Sequence, residues 1–238
     1  MGRAYEVRKA SIQKTGAAKA KLYTNYAKEI YLAAKKGSAD VESNISLKRL
    51  VEKAKKEQVP SDIINRAIEK AKGVGGEDYE VVTYEGFGPG SSTLIIRTLT
   101  DNVNRTVGMV RAAFNKVHKS LGVMNSVSYN YDYLAILSVK SGQSEEIFNA
   151  LLENGIEPVD FEMEDGEVVI TLNPSDHNKA KDVLEKLIPG VEYELDEEGM
   201  YAKDKVTLEG EDLELFQRLI GLLDDIDDVT DIYHNVNL

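Results

Sequence analysis

Few side chains in this sequence are spaced to do covalent or metal chemistry. The three histidines, His118, His177 and His234, stand far apart and share no metal-ligand spacing, so each is expected to be solvated or packed. Cysteine is absent, which removes thiolate nucleophiles, disulfides and every cysteine-based zinc or iron–sulfur site. Carboxylates crowd into two runs, Glu192–Glu198 and Asp224–Asp231. Neither run has the alternating ligand positions and central glycine of an EF-hand loop, and a solvated acidic face is expected at each. Gly86-Phe87-Gly88-Pro89-Gly90 is followed by Ser91, Ser92 and a strand pattern. A phosphate-cradling loop would continue into Gly-Lys-Ser/Thr and a helix, so this segment is expected to be a tight turn set by Pro89. No nucleophile–base pair and no cofactor fingerprint is found. The expectation is a non-enzyme with no catalytic residue, no metal and no cofactor.

The chemistry that does stand out is electrostatic. Residues 1–75 hold 17 Lys+Arg against 8 Asp+Glu, a net of +9; the remaining residues hold 12 against 33, a net of −21. The chain average of −12 hides a basic module joined to an acidic body. Clustered cations attract phosphate polymers and release counterions on binding. Arg3, Arg8, Lys9, Lys14, Lys19 and Lys21 lie on an N-terminal arm and the first helical turns. Lys48, Arg49, Lys53 and Lys56 lie on a second helix, and Arg66 and Lys70 on a third. Most fall off the apolar stripes. A merely solvated surface mixes signs, and this one does not, so these residues are the candidate nucleic-acid contacts. Tyr23 and Tyr26 sit on the inner stripe and are expected in the core.

A second candidate patch is Thr100-Asp101-Asn102-Val103-Asn104-Arg105-Thr106. Free N–H groups at a helix start favour anions, and Arg105 adds a fork for phosphate or carboxylate. Asn102, Asn104 and Arg105 are the candidate contacts, expected beside the Gly86–Gly90 loop. Ordinary capping by Asp101 is the competing explanation.

The elements that must position these residues follow from periodicity. Apolar residues at helical spacing predict helices over about 17–36 (Leu22, Tyr23, Tyr26, Ala27, Ile30), after Asn44 (Leu47, Leu50, Val51, Ala54) and after Ser61 (Ile64, Ala67, Ile68). Gly73-Val74-Gly75-Gly76 reads as a joint. Strands are predicted over 79–84, 92–99 and 127–133, with a helix started by Asp101 between the last two. A strand over 134–139, a helix, a hairpin turning at Glu164-Asp165-Gly166, a helix over 174–187 and a short strand over 191–195 give the β-α-β-β-α-β order of a ferredoxin-like unit. A helix over 210–223 and a strand over 229–234 complete a similar middle unit, although the helix could instead belong to the third. The expected class is α+β: an N-terminal three-helix domain (1–76), a discontinuous domain (77–133 plus 205–238), and a third domain (134–204) inserted into it.

Read together, the segments resemble the YebC/PmpR family, whose mitochondrial member is the translational activator of cytochrome c oxidase. The motifs that carry the likeness are Tyr84-Glu85-Gly86-Phe87-Gly88-Pro89 with Thr100-Asp101-Asn102 and Asn104-Arg105-Thr106, joined by Ala33-Ala34-Lys35-Lys36-Gly37, Val59-Pro60-Ser61 and Arg66-Ala67-Ile68-Glu69-Lys70-Ala71. The resemblance implies three domains and no enzyme activity. It implies either a transcriptional regulator on promoter DNA or a translation factor on the ribosome. The sequence departs from the family at its start, where Gly2-Arg3-Ala4-Tyr5 replaces Gly-His-Ser-Lys-Trp-Ala, and at Tyr23-Thr24-Asn25 in place of Phe-Thr-Lys. With no apolar run of membrane length and no export signal, a cytoplasmic, non-membrane protein is expected. The expected partner is promoter DNA, with ribosomal RNA as the alternative and a pure protein-interaction module as the third reading. Sequence leaves the oligomeric state open.

Overall fold

The computed structural model describes residues 19–73, 75–76 and 78–237. Arg3, Arg8, Lys9 and Lys14 therefore lie outside the described residues, and Lys19 is the first of them. The chain runs α1 (Lys19–Lys36), α2 (Ile45–Lys56), α3 (Ser61–Lys72), β1 (Glu80–Phe87), β2 (Thr93–Thr100), α4 (Val103–Asn115), β3 (Ser120–Leu121) and β4 (Tyr131–Lys140). It continues as α5 (Ser144–Glu153), β5 (Asp160–Glu164), β6 (Glu167–Leu172), α6 (His177–Leu187), β7 (Tyr193–Ala202), β8 (Val206–Thr207), α7 (Gly210–Asp224), β9 (Val229–His234) and β10 (Val236–Asn237). The class is α+β, with helices first and sheets after. No described helix is long and apolar enough to cross a membrane. Two compact units form: residues 129–204, and residues 19–128 with 205–237.

In the larger unit, three helices pack around Tyr26, Ile30, Ala34, Leu47, Val51, Ala54, Ile64 and Ala67. Asn44 caps α2, its Oδ1 accepting from the Leu47 amide at 3.1 Å. Its Nδ2 donates to the Ser38 and Ala33 carbonyls and ties the end of α1 to the start of α2. Ser61 makes no cap; it is already inside α3, which Pro60 precedes. The four residues between α2 and α3 turn at Gln58, which takes a left-handed φ of 59°.

The same unit holds a sheet of order β3-β1-β2-β9. Helices α4 and α7 cover one face, where Leu94, Ile96, Val110, Phe114, Phe216, Leu219 and Leu223 share a core. Helix α7 thus packs on the sheet that holds β1, β2 and β9, not on the sheet of the smaller unit. Helix α4 ends in a Schellman arrangement: Lys119 N donates to Phe114 O at 3.0 Å and His118 N to Asn115 O at 3.0 Å. The left-handed position is His118, φ 57°, where glycine is usual.

The smaller unit has the order β5-β6-β4-β7 with α5 and α6 in the crossovers, the ferredoxin-like plan. The middle sheet reproduces that order, but β1, in the place of β6, comes first in the chain. Strand β4 corrects one expectation. Residues 127–133 and 134–139 do not form two strands; one strand pairs with β7 from Tyr131 to Val139, after a 3-10 turn at Ser128–Asn130. In the Glu192–Glu198 run, Glu192, Glu194 and Glu198 are exposed as expected, and Asp196 turns to partners. In β7, Asp196 pairs with Lys181 at 2.5 Å, and His177 lies between Asp196 Oδ1 (2.9 Å) and Glu198 Oε1 (2.8 Å). Tyr133 donates to the other oxygen of Glu198.

Gly86 and His177 put this packing to the test. A β-carbon on Gly86 would sit 2.5 Å from the ring of Phe114, which is fully buried and cannot retreat. Gly86→Ala should therefore cost roughly 1–3 kcal/mol by overpacking, read as a lower denaturation midpoint at unchanged m. At His177, burial opposes the charge, but the two carboxylates outweigh it and raise the imidazole above its ordinary range. That contribution is complete below the unfolded-state value of about 6.5 and fades as pH rises through the higher folded-state value. Unfolding midpoints of wild type should fall across that interval, and those of His177→Gln should not.

Candidate nucleic-acid interface

The positively charged residues divide into two sets. On α2, Leu47, Val51 and Ala54 are buried, and Arg49, Lys53 and Lys56 point the opposite way at i, i+4, i+7 spacing. On α3, Ile64, Ala67 and Ile68 are buried, and Arg66 and Lys70 point away. The cations of α1 and α3 meet: Lys35 and Lys70 each place Nζ 5.6 Å from the centroid of the Tyr31 ring. Lys35 also pairs with Asp78 at 2.7 Å. Arg66 pairs with Asp62 on the same helix, and Lys48 with Glu42. Both are exposed contacts of the kind worth little in water. This set lies on the outer sides of its helices.

The second set is committed to the protein itself. Lys21, a candidate contact from sequence, instead donates to the main-chain carbonyl of Asp224 and pairs with its carboxylate at 3.0 Å. Lys28 reaches Asp228 Oδ1 at 3.0 Å and the carbonyl of Asp227. Arg105 places one guanidinium nitrogen 2.7 Å from Asp228 Oδ2 and 2.8 Å from Asp101 Oδ1. The Thr100 and Thr106 hydroxyls also lie within hydrogen-bond distance of Asp228 Oδ2, at 3.1 and 2.8 Å. Asp228 is 5% exposed. Burial alone would raise its pKa, but Arg105, Thr106 and Lys28 win and hold it down to about 2.

These contacts revise the second patch. Asn102, not Asp101, caps α4, accepting from the Arg105 amide at 3.0 Å, while Asp101 serves as an ion-pair partner. Asn104 is exposed. The three residues are not beside the Gly86–Gly90 loop. The β1–β2 register pairs Phe87 with Thr93 at the turn and Glu80 with Thr100 at the far end. The two features are thus a strand length apart, roughly 23 Å at 3.3 Å per residue. What lies beside the glycine turn is the other end of α4. In the acidic run Asp224–Asp231, Asp224, Asp225 and Asp227 are exposed as expected, but Asp228 is buried, and Asp224, Asp228 and Asp231 receive Lys21, Lys28 with Arg105, and Arg97. Asp228 had no signal in the sequence. It lies 123 residues from Arg105 in a run of look-alike carboxylates.

With both motifs placed, their kinship can be tested against known proteins. The model of the TACO1/YebC N-terminal domain matches residues 3–74, and that of the TACO1/YebC second and third domain matches residues 79–236. The chain belongs to the TACO1/YebC family. A "Probable transcriptional regulatory protein" of Marinobacter nauticus is 43% identical over the whole chain, which covers 99% of that relative. One from Vibrio parahaemolyticus is 44% identical with both chains fully covered. The crystal structure of a conserved hypothetical protein from Aquifex aeolicus superposes with a TM-score of 0.74 at 30% identity, over 93% of this chain and 91% of that one. For this family member, the Thr-Asp-Asn-x-Asn-Arg-Thr motif reads first as the joint between helical domain and sheet.

Asp228 is the test of that joint. Removing one partner of a buried pair costs about 3–5 kcal/mol, so Asp228→Ala should lower stability by an amount of that order. The depressed pKa gives the pH window. Stability from this carboxylate is present above the unfolded-state value near 4 and is lost as pH falls toward about 2. Acid titration of wild type should show that loss, and Asp228→Asn should lack it.

Proposed function

We propose that this protein is a non-enzymatic, nucleic-acid-binding regulator of gene expression that engages promoter DNA through its N-terminal helical domain. The observation that carries the reading is the outward stripe Arg49–Lys53–Lys56 on α2, followed across a four-residue turn by α3 with Arg66 and Lys70 outward. Two short helices joined by such a turn, with a left-handed residue at Gln58, share the helix lengths and connection of a helix-turn-helix. In that plan the first helix crosses the backbone, and the second lies in the major groove. Asn65 and Arg66, in the first half of α3, are side chains of the types that pair with adenine and guanine edges. The names of the relatives from Marinobacter nauticus and Vibrio parahaemolyticus support the same reading.

The acidic remainder sets orientation. The positive excess lies in the helical domain, so that domain leads the encounter with a polyanion. A ribosomal-RNA target would use the same cations but gives no special role to the Gln58 turn.

Salt dependence tests the reading. Removing one cation that neutralises a duplex phosphate lowers the slope of log K against log salt by about 0.9. The combined change Arg49→Ala, Lys53→Ala and Lys56→Ala should flatten the slope by up to about 2.7 on any duplex. Asn65→Ala and Arg66→Ala should instead reduce preference among sequences. Mobility shift over a range of salt, beside co-sedimentation with ribosomes after DNase, separates DNA from ribosomal RNA. An unchanged slope in the triple variant would remove the stripe from the interface.

A further inference from the structure

The far end of α4 from Arg105 holds a feature that the proposed DNA contact leaves unused. An open cavity of about 610 Å³ lies where the β1–β2 turn meets the end of α4. Phe87, Asn115, His118, Lys119 and Ser120 line it, with the main chain of Gly88 and Gly90. Its size falls within the range of small-ligand sites. Phe87 is an aromatic residue left 47% exposed at the end of a strand. His118 and Lys119 set an imidazole beside an ammonium, and Asn115 and Ser120 carry polar groups that can both donate and accept.

Two details argue that this end is held in place. The turn is closed by Gly88 N donating to Ser92 O at 2.8 Å, and the glycines are tightly enclosed: a β-carbon on Gly88 would meet Ser92 and Leu94, and one on Gly90 would meet Leu208 and Asp212. On the opposite wall His118 sits at φ 57°, the Schellman position that glycine fills at lowest cost. The left-handed backbone there fixes the direction in which the His118 side chain leaves the helix end. The carboxylate of Asp212 lies beside Gly90, so an anion is disfavoured at that end and favoured at the Lys119 end.

From this arrangement we infer that the cavity binds an unpaired nucleotide of a single strand, its base stacked on Phe87 and its phosphate held by Lys119 and His118. Aromatic stacking tolerates any base, and flanking cations follow the backbone. The inference rests on the nucleic-acid reading above but not on the duplex contact of α2 and α3. It adds a second, separate contact for melted or looped strands.

The experiment uses the full chain and a labelled single strand of roughly a dozen nucleotides, the tighter-binding of its ribose and deoxyribose forms, alongside the same sequence as a duplex. Phe87→Ala should weaken single-strand binding about tenfold or more and leave duplex binding unchanged. Phe87→Tyr should keep it. Lys119→Ala should lower the single-strand salt slope by about 0.7. His118→Gly should weaken the same binding while raising the thermal midpoint, a pairing that a purely structural residue would not give. Midpoints of the Phe87 variants close to wild type exclude misfolding. Single-strand affinity unchanged within about twofold in Phe87→Ala, against a stacking contribution normally larger than that, overturns the inference. So does competition by free AMP at micromolar concentration, which would make the cavity a mononucleotide site. A wild-type protein that binds neither strand nor duplex overturns the function proposed above as well; one that binds duplex but is indifferent to Phe87 overturns only this site.

Discussion

One carboxylate holds the larger unit together. Asp228 is buried, and its two oxygens receive Lys28 from the first helix, Arg105 from the start of α4, and the hydroxyls of Thr100 and Thr106. Asp228 and Lys28, both largely covered, would each be costly alone, whereas Arg105 reaches the carboxylate from a half-exposed position. Together they satisfy one another, and the geometry of the shared carboxylate fixes how a helical domain meets the end of a sheet. Lys21 on Asp224 and Arg97 on Asp231 extend the contact along the same acidic run. Glu29 shows the other side of such a junction: burial pushes its carboxyl pKa up, with Arg97 only partly offsetting it.

This junction changes the meaning of the charge asymmetry. Part of the positive charge in the helical domain is not offered to a partner at all; Lys21 and Lys28 neutralise the acidic run. The positive charge on the outer sides of these helices is less than the sequence total suggests. Arg49, Lys53 and Lys56 share one side of α2, and Lys35 and Lys70 converge over Tyr31. The same division explains how one motif can look like an anion site and act as a staple. A helix start with a nearby arginine attracts any carboxylate or phosphate, and here the chain supplies the carboxylate itself.

Local periodicity made most of the fold legible. The stripes of α1, α2 and α3 place Tyr26, Ile30, Leu47, Val51, Ile64 and Ala67 in one core, as their spacing requires. The β-α-β-β-α-β order from 131 to 202 was readable because turn residues such as Asp165 and Gly166 separate its elements, although β7, expected over 191–195, runs from Tyr193 to Ala202 along β4. Long-range pairing was not readable. Sequence could not show that β4 runs unbroken through Leu134, because its continuity depends on β7, some 60 residues later. Nor could it separate Asp228 from Asp224, Asp225 and Asp227, because a buried carboxylate differs from a solvated one only in its distant partners. The misplacement of Arg105 beside the glycine turn has the same origin. Two motifs that are neighbours in sequence are set apart by the hairpin between them.

The two ends of α4 then carry opposite tasks for one reason, the direction of the helix. Its start has free amides and an arginine, and there the protein closes on itself through Asn102, Arg105 and Asp228. At its finish, no carboxylate among the described residues holds Lys119 as Asp228 holds Arg105, and there an aromatic ring and polar side chains surround an open cavity. A rigid helix of 13 residues anchored at one end by a buried ion network holds the other end steady. The cost of the anchor is charge buried within the fold, and its return is a wall that a flexible ligand can meet without ordering the protein first.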